Sequence, residues 1–249
     1  MPRVDLNCDL GEGAGQDATL MPLITSANIA CGAHAGDAET MRETVQLALR
    51  HGVAIGAHPG FADRAHFGRR ELAVEPAAVR DLVEAQTRAL QEIAARCGGR
   101  VGHVKPHGAL YNLAARDAAV ARAVAEAVLA CGRELALFAL AGSVGAREAE
   151  ACGLRVAHEV FADRTYQADG SLTPRTQLHA LITDDGAAAV QARRMVVEGR
   201  VRAVDGSEVP VRADTLCLHG DGAQAVEFAR RIRLEFEQAG VELRCFTDA

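Results

Sequence analysis

Short apolar segments alternate with longer amphipathic ones along most of the chain, and this alternation limits the fold more than any other feature. The short segments are rich in Val, Ile and Leu, as strands are, and the long ones repeat their apolar residues with a helical period. The predicted strands cover residues 3–8, 27–31, 53–57, 101–105, 135–140, 155–160 and 215–218, with 241–245 as a candidate eighth. The predicted helices cover 37–50, 76–96, 118–131, 143–151, 186–198 and 224–238. Such alternation is typical of a parallel sheet connected by helices.

The polarity of two strands favours a closed barrel over an open sheet. In the first strand Asp5, Asn7 and Asp9 alternate with apolar residues, and His103 and Lys105 share one face of the fourth strand. An open sheet covered by helices on both faces has strands that are apolar throughout. We therefore predict an α/β fold, a single-domain (β/α) barrel of about seven strands with a polar interior, spanning residues 1–249. The Asp-Gly turn within 202–211 predicts a small appended β-hairpin.

Composition excludes several classes of function. The net charge is −6, and the chain has no Trp and only two Tyr, which weighs against nucleic-acid binding. Its mean hydropathy is +0.02, and no apolar stretch approaches the ~20 residues that a membrane span requires. The seven cysteines contain no C-x-x-C pair, which favours a reducing, cytoplasmic environment. A small molecule is the expected substrate.

Polar residues stand where the predicted strands end, and in a parallel barrel these ends meet at one rim. Asp9 and Glu12 follow the first strand, His34 follows the second with Asp37 beside it, and His58 ends the third. Carboxylates and imidazoles brought together in this way suit acid–base chemistry and metal binding equally. If a metal is bound, Asp9, His34 and His58 are its candidate ligands. Asp37 is also a natural N-cap for the following helix.

Lys105 is hard to explain as a purely structural residue, because a buried ammonium needs a carboxylate or an anionic ligand beside it. Asp5, Asp9 or a phosphate could be its partner. His107 lies at the mouth of the same strand. Arg69 and Arg70 occupy a long loop after the third strand, where they could hold a carboxylate or a phosphate.

Taken in order, these segments resemble the LamB/YcsF family from about residue 4 to 222. The resemblance is carried by the following sequences: VDLNCDLGE, NIACG with HAGD, GAHP, FGRR, KPHGALYN, EVFADR and HGD. It implies ATP-dependent opening of 5-oxo-L-proline to L-glutamate, with ATP and Mg²⁺ as co-substrate and the B and C subunits of 5-oxoprolinase as partners. It also implies kinship with the seven-stranded glycoside hydrolase/deacetylase barrels, in which an Asp and two His hold a metal.

The resemblance suggests roles for the candidate residues. We expect Lys105 to neutralise phosphate or oxyanion charge and Asp9 or His107 to activate water. The full catalytic set is Asp9, Lys105, His107 and Glu12, and the substrate-binding set is His34, Asp37, His58, Arg69 and Arg70. Two alternatives stay open, a stand-alone metal-dependent deacetylase or amidohydrolase and a non-catalytic supporting subunit.

Overall fold

Seven parallel strands close into a barrel in the computed structural model, which describes residues 1–219 and 225–248. Each strand pairs with its neighbour in the barrel, and the last pairs with the first, as in the register Asp5↔Thr215. The barrel strands are β1 (Arg3–Leu10), β2 (Ser26–Ala30), β3 (Ala54–His58), β4 (Val101–Val104), β5 (Ala136–Leu140), β6 (Arg155–Phe161) and β9 (Thr215–His219). The predicted barrel is confirmed.

Three further strands lie outside the closed barrel. The antiparallel hairpin of β7 (Arg200–Arg202) and β8 (Glu208–Pro210) confirms the predicted appended hairpin. The short β10 (Glu242–Leu243) pairs in parallel with the start of β1. It corresponds to the candidate eighth strand, shortened to two residues.

Helices cover the outside of the barrel, and the six predicted ones are present. The helices are α1 (Asp17–Leu20), α2 (Ala38–His51), α3 (Pro76–Arg96), α4 (Gly108–Ala114), α5 (Ala118–Cys131), α6 (Val144–Ala151), α7 (Asp185–Arg193) and α8 (Ala225–Gln238). A π-helical turn, Arg194–Glu198, extends α7, and 3₁₀ turns occur at Met21–Leu23, Arg64–His66 and Phe246–Asp248. The sequence did not predict the short α1 and α4. Within the described residues, no helix is long and apolar enough to span a membrane.

The two faces of β1 show how the sequence builds the barrel. Val4, Leu6 and Leu10 are at most 1% exposed and belong to the apolar layer between strands and helices. The alternate residues Asp5 and Asp9 are also buried, although they are charged. Because successive side chains of a strand point to opposite faces, these acids point into the barrel.

The amino end of the barrel interior is apolar. Ala136, Phe138 and Ala157 form a small buried cluster, and Phe246 packs edge-on against Phe138 with ring centroids 6.2 Å apart. The ring of His103 stacks on Phe138 at 4.1 Å. The polar interior is therefore open only towards the carboxyl ends of the strands, where the predicted site residues lie.

Candidate active site

A cavity of about 880 Å³ opens at the carboxyl ends of the barrel strands. Its wall includes five of the residues predicted to act chemically, Asp9, Glu12, His58, Lys105 and His107. This volume is within the range of about 300–1,000 Å³ that is usual for ligand sites. The predicted polar strand ends therefore do converge on one pocket.

Lys105 lies at the centre of a group of buried polar side chains that we call the inner cluster: Asn7, Asp9, Asn28, Lys105, Glu159 and Cys217. Lys105 Nζ is 2.8 Å from Asp9 Oδ1 and 3.0 Å from both Glu159 Oε1 and Cys217 Sγ. Although burial opposes its charge, the carboxylates of Asp9 and Glu159 raise the pKa of Lys105 well above its usual value. Lys105 is thus a permanent cation held between two carboxylates.

Asp9 is the predicted residue that Lys105 contacts most closely. Its Oδ1 also accepts a hydrogen bond from Asn28 Nδ2 at 2.8 Å, and its Oδ2 is 3.4 Å from His58 Nε2. Burial alone would favour the neutral acid, but the charges of His58 and Lys105 hold the pKa of Asp9 well below its usual range. Asp9 is therefore ionised although it is buried.

Asp5, the other acid considered as a partner for Lys105, lies deeper in the barrel and has different neighbours. Thr25 and Ser26 donate hydrogen bonds to its Oδ1 at 2.7 and 2.6 Å, and Thr215 donates to its Oδ2 at 2.5 Å. Burial raises the pKa of Asp5 to about 6. Its carboxyl is satisfied by hydroxyl groups rather than by an ammonium.

Three imidazoles and a carboxylate form a second group, the histidine cluster: Glu12, His34, His58 and His107. Glu12 Oε1 is 3.1 Å from His34 Nε2, 3.3 Å from His107 Nδ1 and 3.8 Å from His58 Nε2. His58 Nε2 and His107 Nδ1 are 3.0 Å apart. Burial alone would raise the pKa of Glu12, but its hydrogen-bond contacts with His107 and His34 lower it. One potential metal-binding atom from each of the four residues therefore lies within 4.8 Å of the others.

Glycines let the imidazoles pack this closely. A Cβ at Gly60 would lie 2.8 Å from His34 Nδ1, and one at Gly68, where φ is +61°, would lie 2.9 Å from His34 Cβ. The rings of His34 and His107 stack in parallel planes with centroids 3.7 Å apart. Burial lowers the pKa of His34 to about 4, so this ring is neutral.

The donor set fits a divalent metal, and it includes two of the three candidate ligands that the sequence suggested. Asp9, His34 and His58 were the candidates, yet Asp9 Oδ1 is bonded to Lys105 and Asn28. Among the described residues, the donor atoms that converge with those of His34 and His58 come from Glu12 and His107. Carboxylate oxygen and imidazole nitrogen are the ligands that Zn²⁺ and similar ions prefer.

Three residues predicted to bind substrate are not part of the cavity wall: His34, Asp37 and Arg70. Asp37 is exposed and caps α2, accepting a hydrogen bond from the Thr40 backbone N–H at 2.8 Å. Arg70 pairs with Asp63 at 3.3 Å, whereas Arg69 lines the cavity. Helix capping is the role that the structure supports for Asp37, because its carboxylate is used by the helix end.

Sequence reasoning gave no catalytic role to Glu159 or His219. Glu159 is fully buried on β6, and its place beside the apolar Val160 and Phe161 at the end of a predicted strand was the signal that could have revealed it. His219 lines the cavity, with Nδ1 2.7 Å from Asp163 Oδ2 and Nε2 2.8 Å from an Arg175 nitrogen. Gly220 and Asp221, which continue the HGD segment, lie outside the described residues.

Comparisons with known proteins agree on a family. The model of the LamB/YcsF family matches residues 4–249. The chain is 54% identical over 248 residues to the A subunit of 5-oxoprolinase from Bordetella pertussis, covering 98% of each chain. The crystal structure of the lactam utilization protein from Thermus thermophilus is 50% identical, with a TM-score of 0.92 over 98% of this chain and 100% of that one. T48 deacetylase, 12% identical with a TM-score of 0.51 over 97% and 87%, shares the fold alone.

Proposed function

The chain belongs to the LamB/YcsF family, and we propose that it opens the lactam ring of 5-oxo-L-proline to give L-glutamate, as one component of an ATP-dependent 5-oxoprolinase. The observation that carries this proposal is the inner cluster, where an ionised Asp9 and a permanent Lys105 cation lie at the wall of a cavity of about 880 Å³. The names of its relatives, a component of 5-oxoprolinase and a lactam utilization protein, supply the substrate.

The chemistry explains why ATP is needed. A five-membered lactam is stabilised by amide resonance, and its open form closes again readily. Transfer of the γ-phosphoryl group of ATP to the amide oxygen makes carbon 5 electrophilic. Water then attacks that carbon and the C–N bond breaks, which leaves the new carboxyl group as an acyl phosphate. A second water molecule hydrolyses the acyl phosphate to glutamate and phosphate. The whole reaction consumes ATP and two water molecules and yields glutamate, ADP and phosphate.

Within this proposal Asp9 is the better-placed group to accept a proton from the attacking water. Both ring nitrogens of His107 are engaged, Nε2 with the Phe67 carbonyl at 2.8 Å and Nδ1 with His58 at 3.0 Å. Asp9 Oδ2 lies 3.4 Å from His58 Nε2, a looser contact than those of Oδ1 with Lys105 and Asn28 at 2.8 Å, and Asp9 is ionised. Lys105 keeps Asp9 ionised. Because the Lys105 ammonium already contacts the carboxylates of Asp9 and Glu159, we assign it this role rather than that of a phosphate ligand.

Arg69 is our candidate for the substrate carboxylate. It lines the cavity, and its guanidinium lies 4.8 Å from the centre of the Phe67 ring, which restricts its position. A guanidinium can bind a carboxylate through two parallel hydrogen bonds. Replacement of Arg69 by Ala should raise KM for 5-oxoproline about 10-fold or more, as loss of one charge-assisted contact of about 1.5–3 kcal/mol implies. The matched change Arg70→Ala should leave KM unchanged.

We propose that ATP, with Mg²⁺, acts as co-substrate in a cytoplasmic complex with the B and C subunits of 5-oxoprolinase. The test is to measure phosphate release and glutamate formation from 5-oxoproline and ATP. The chain should be assayed alone, with each partner, and with both. Turnover that requires all three proteins supports the proposal, and glutamate formation by the two partners without this chain would contradict it.

An Asp9→Asn variant decides whether this chain contributes the chemistry. Asparagine keeps the shape of Asp9 but cannot accept a proton, so the reassembled complex should lose most of its kcat. If the complex keeps wild-type turnover, the chain has a supporting role and the catalytic residues lie on a partner. The matched control is Asp37→Asn, an exposed acid outside the cavity.

The histidine cluster favours a second candidate function, that of a metal-dependent amidohydrolase or deacetylase that acts alone. This alternative predicts glutamate or acetate release without ATP, by the chain alone, and loss of that release on treatment with a chelator. The same set of assays therefore separates it from the 5-oxoprolinase proposal.

A further inference from the structure

The spacing of the donor atoms in the histidine cluster matches that expected around a tetrahedral metal ion. Donors about 2.0–2.1 Å from one ion in tetrahedral geometry lie about 3.3–3.4 Å from each other. Glu12 Oε1, His58 Nε2 and His107 Nδ1 are separated by 3.0, 3.3 and 3.8 Å. These three side chains are at most 5% exposed, yet all three reach the cavity wall.

The hydrogen bonds of the other two ring nitrogens, His58 Nδ1 and His107 Nε2, show where the ring hydrogens lie. His58 Nδ1 lies 2.7 Å from the Lys105 carbonyl oxygen, and His107 Nε2 lies 2.8 Å from that of Phe67. A carbonyl only accepts hydrogen bonds, so both nitrogens carry a hydrogen. The other two nitrogens, His58 Nε2 and His107 Nδ1, face each other at 3.0 Å, a separation that either a shared proton or a metal ion in its place can hold. Without a cation of either kind, the two facing lone pairs would repel each other.

Metal-binding histidines usually have this arrangement, with the second ring nitrogen donating to a carbonyl or carboxylate. The hydrogen bond fixes the tautomer and the orientation of the ring, so that the other nitrogen is ready to bind. We propose that Glu12, His58 and His107 form a site for one divalent transition-metal ion, and that Zn²⁺ fits it best. The proposal concerns ion binding and does not depend on the proposed lactam reaction.

His34 belongs to the cluster without being a ligand. Its ring is parallel to that of His107, with 1° between the planes and 3.7 Å between the centroids. A ring nitrogen binds a metal along its lone pair, which lies in the ring plane, and one ion cannot lie in two parallel planes. His34 is instead a positioning residue, because its Nε2 is 3.1 Å from Glu12 Oε1 and its ring supports that of His107.

Three protein ligands beside an open cavity are typical of catalytic zinc sites rather than structural ones, which close all four positions. Two imidazoles and one glutamate are among the ligand sets known for such sites. An ion held here would supply a Lewis acid at the cavity wall. Asp9 lies outside this ligand set, because its carboxylate oxygens are not among the donor atoms that converge with those of Glu12, His58 and His107.

Calorimetric titration of the chelator-treated full chain with Zn²⁺ tests the proposal. We expect one Zn²⁺ per chain, and we expect Co²⁺ to bind at the same site with the intense visible absorption of a low-coordinate Co²⁺ complex. If the wild-type chain takes up no Zn²⁺ and gives no Co²⁺ spectrum, the proposal is overturned. This measurement needs no variant, so it stands even if a substituted chain fails to fold.

Variants then identify the ligands, with folding checked by circular dichroism. Glu12→Gln, His58→Gln and His107→Gln should abolish the Co²⁺ spectrum. His34→Gln should keep the spectrum and the stoichiometry but weaken binding by about 10- to 100-fold, as expected for a residue that orients a ligand. The control His66→Gln, at a half-exposed imidazole paired with Asp63, should bind like the wild type. Loss of the spectrum in Asp9→Asn with retention in His107→Gln would overturn the ligand set.

Discussion

The inner cluster and the histidine cluster lie side by side in one cavity, but they differ in which groups balance their buried charges. In the inner cluster, the Lys105 ammonium contacts both Asp9 and Glu159, so the protein supplies a cation to its two buried carboxylates. In the histidine cluster, two imidazole nitrogens and the Glu12 carboxylate lie close together, and none of their described ion pairs involves a Lys or an Arg. The first group thus carries a fixed cation of its own, whereas the second carries the donor atoms of the proposed metal site.

The largest effect should follow from removal of the central cation of the inner cluster. Lys105→Met leaves Asp9 and Glu159 buried without their partner, and breaking a buried ion pair in this way costs about 3–5 kcal/mol. We expect the free energy of unfolding in urea to fall by that amount. The two carboxylate contacts therefore make Lys105 important for stability as well as for the charge of the site.

A double variant tests the reason for this loss. Lys105→Met combined with Asp9→Asn removes one of the stranded charges, so it should be more stable than Lys105→Met alone. A single variant within about 1 kcal/mol of the wild type would mean that the inner cluster is not held together by its ion pairs.

The second effect concerns Asp5, the buried acid without a cationic partner. Its pKa is about 6 in the folded chain against an ordinary value of 3.8, so the folded state binds more protons between these values. Stability should therefore decrease as the pH rises from 3.8 to about 6, by about 3 kcal/mol, and should not change further above that range on account of Asp5. Asp5→Asn should lose this dependence.

The measurement for Asp5 is the difference in unfolding free energy between Asp5→Asn and the wild type at about pH 4 and about pH 7. The variant should gain about 2 kcal/mol relative to the wild type between the two, because a part of the full change occurs below pH 4. A constant difference would show that Asp5 is ionised in the folded chain throughout, as Asp9 of the inner cluster is.

A smaller effect should arise in the histidine cluster, whose packing leaves no room beside Gly60. Gly60→Ala places a methyl group 2.8 Å from His34 Nδ1 and 3.1 Å from His107 Cβ. Overpacking of this kind costs about 1–3 kcal/mol. Displacement of the rings should also weaken the absorption of bound Co²⁺. The control Gly186→Ala, in the first turn of α7, should lower neither the free energy of unfolding nor this absorption.

The smallest effect should come from outside both clusters. Asp37→Ala removes the N-cap of α2, and loss of such a cap costs about 1 kcal/mol. We expect a correspondingly lower unfolding free energy with kcat and KM of the assembled enzyme unchanged. A raised KM for 5-oxoproline would restore the substrate-binding role that the sequence suggested for Asp37.

The sequence predicted the barrel because each strand and helix carries its own periodicity. The polar face of β1 and the apolar run of α5 are local patterns, and both elements appear where they were predicted. The short α4 was missed because it has only seven residues and begins at Gly108, a residue with φ of +55° that resembles a turn.

The partners of the site residues could not be predicted in the same way. Lys105 follows β4 and meets Glu159 of β6 because β5 lies between these strands and the curvature of the barrel turns both side chains into its interior, and nothing local to either strand encodes that distance. The parallel packing of His34 and His107 likewise depends on how the loop at Gly68 folds over both rings. The type of residue at each strand end was predictable, but the pairing between strand ends was not.

Closure of the barrel also affects how copies of this protein behave beside one another. A strand at the edge of an open sheet offers unpaired backbone groups on which another chain can add, and a closed barrel has no such edge. The exposed edges that remain in the described residues belong to strands of two or three residues, β10, β7 and β8. The hairpin strands carry Arg200, Arg202, Glu208 and Pro210. Short strands with charges and proline resist edge-to-edge pairing, so the architecture that forms the pocket also protects the folded chain from aggregation.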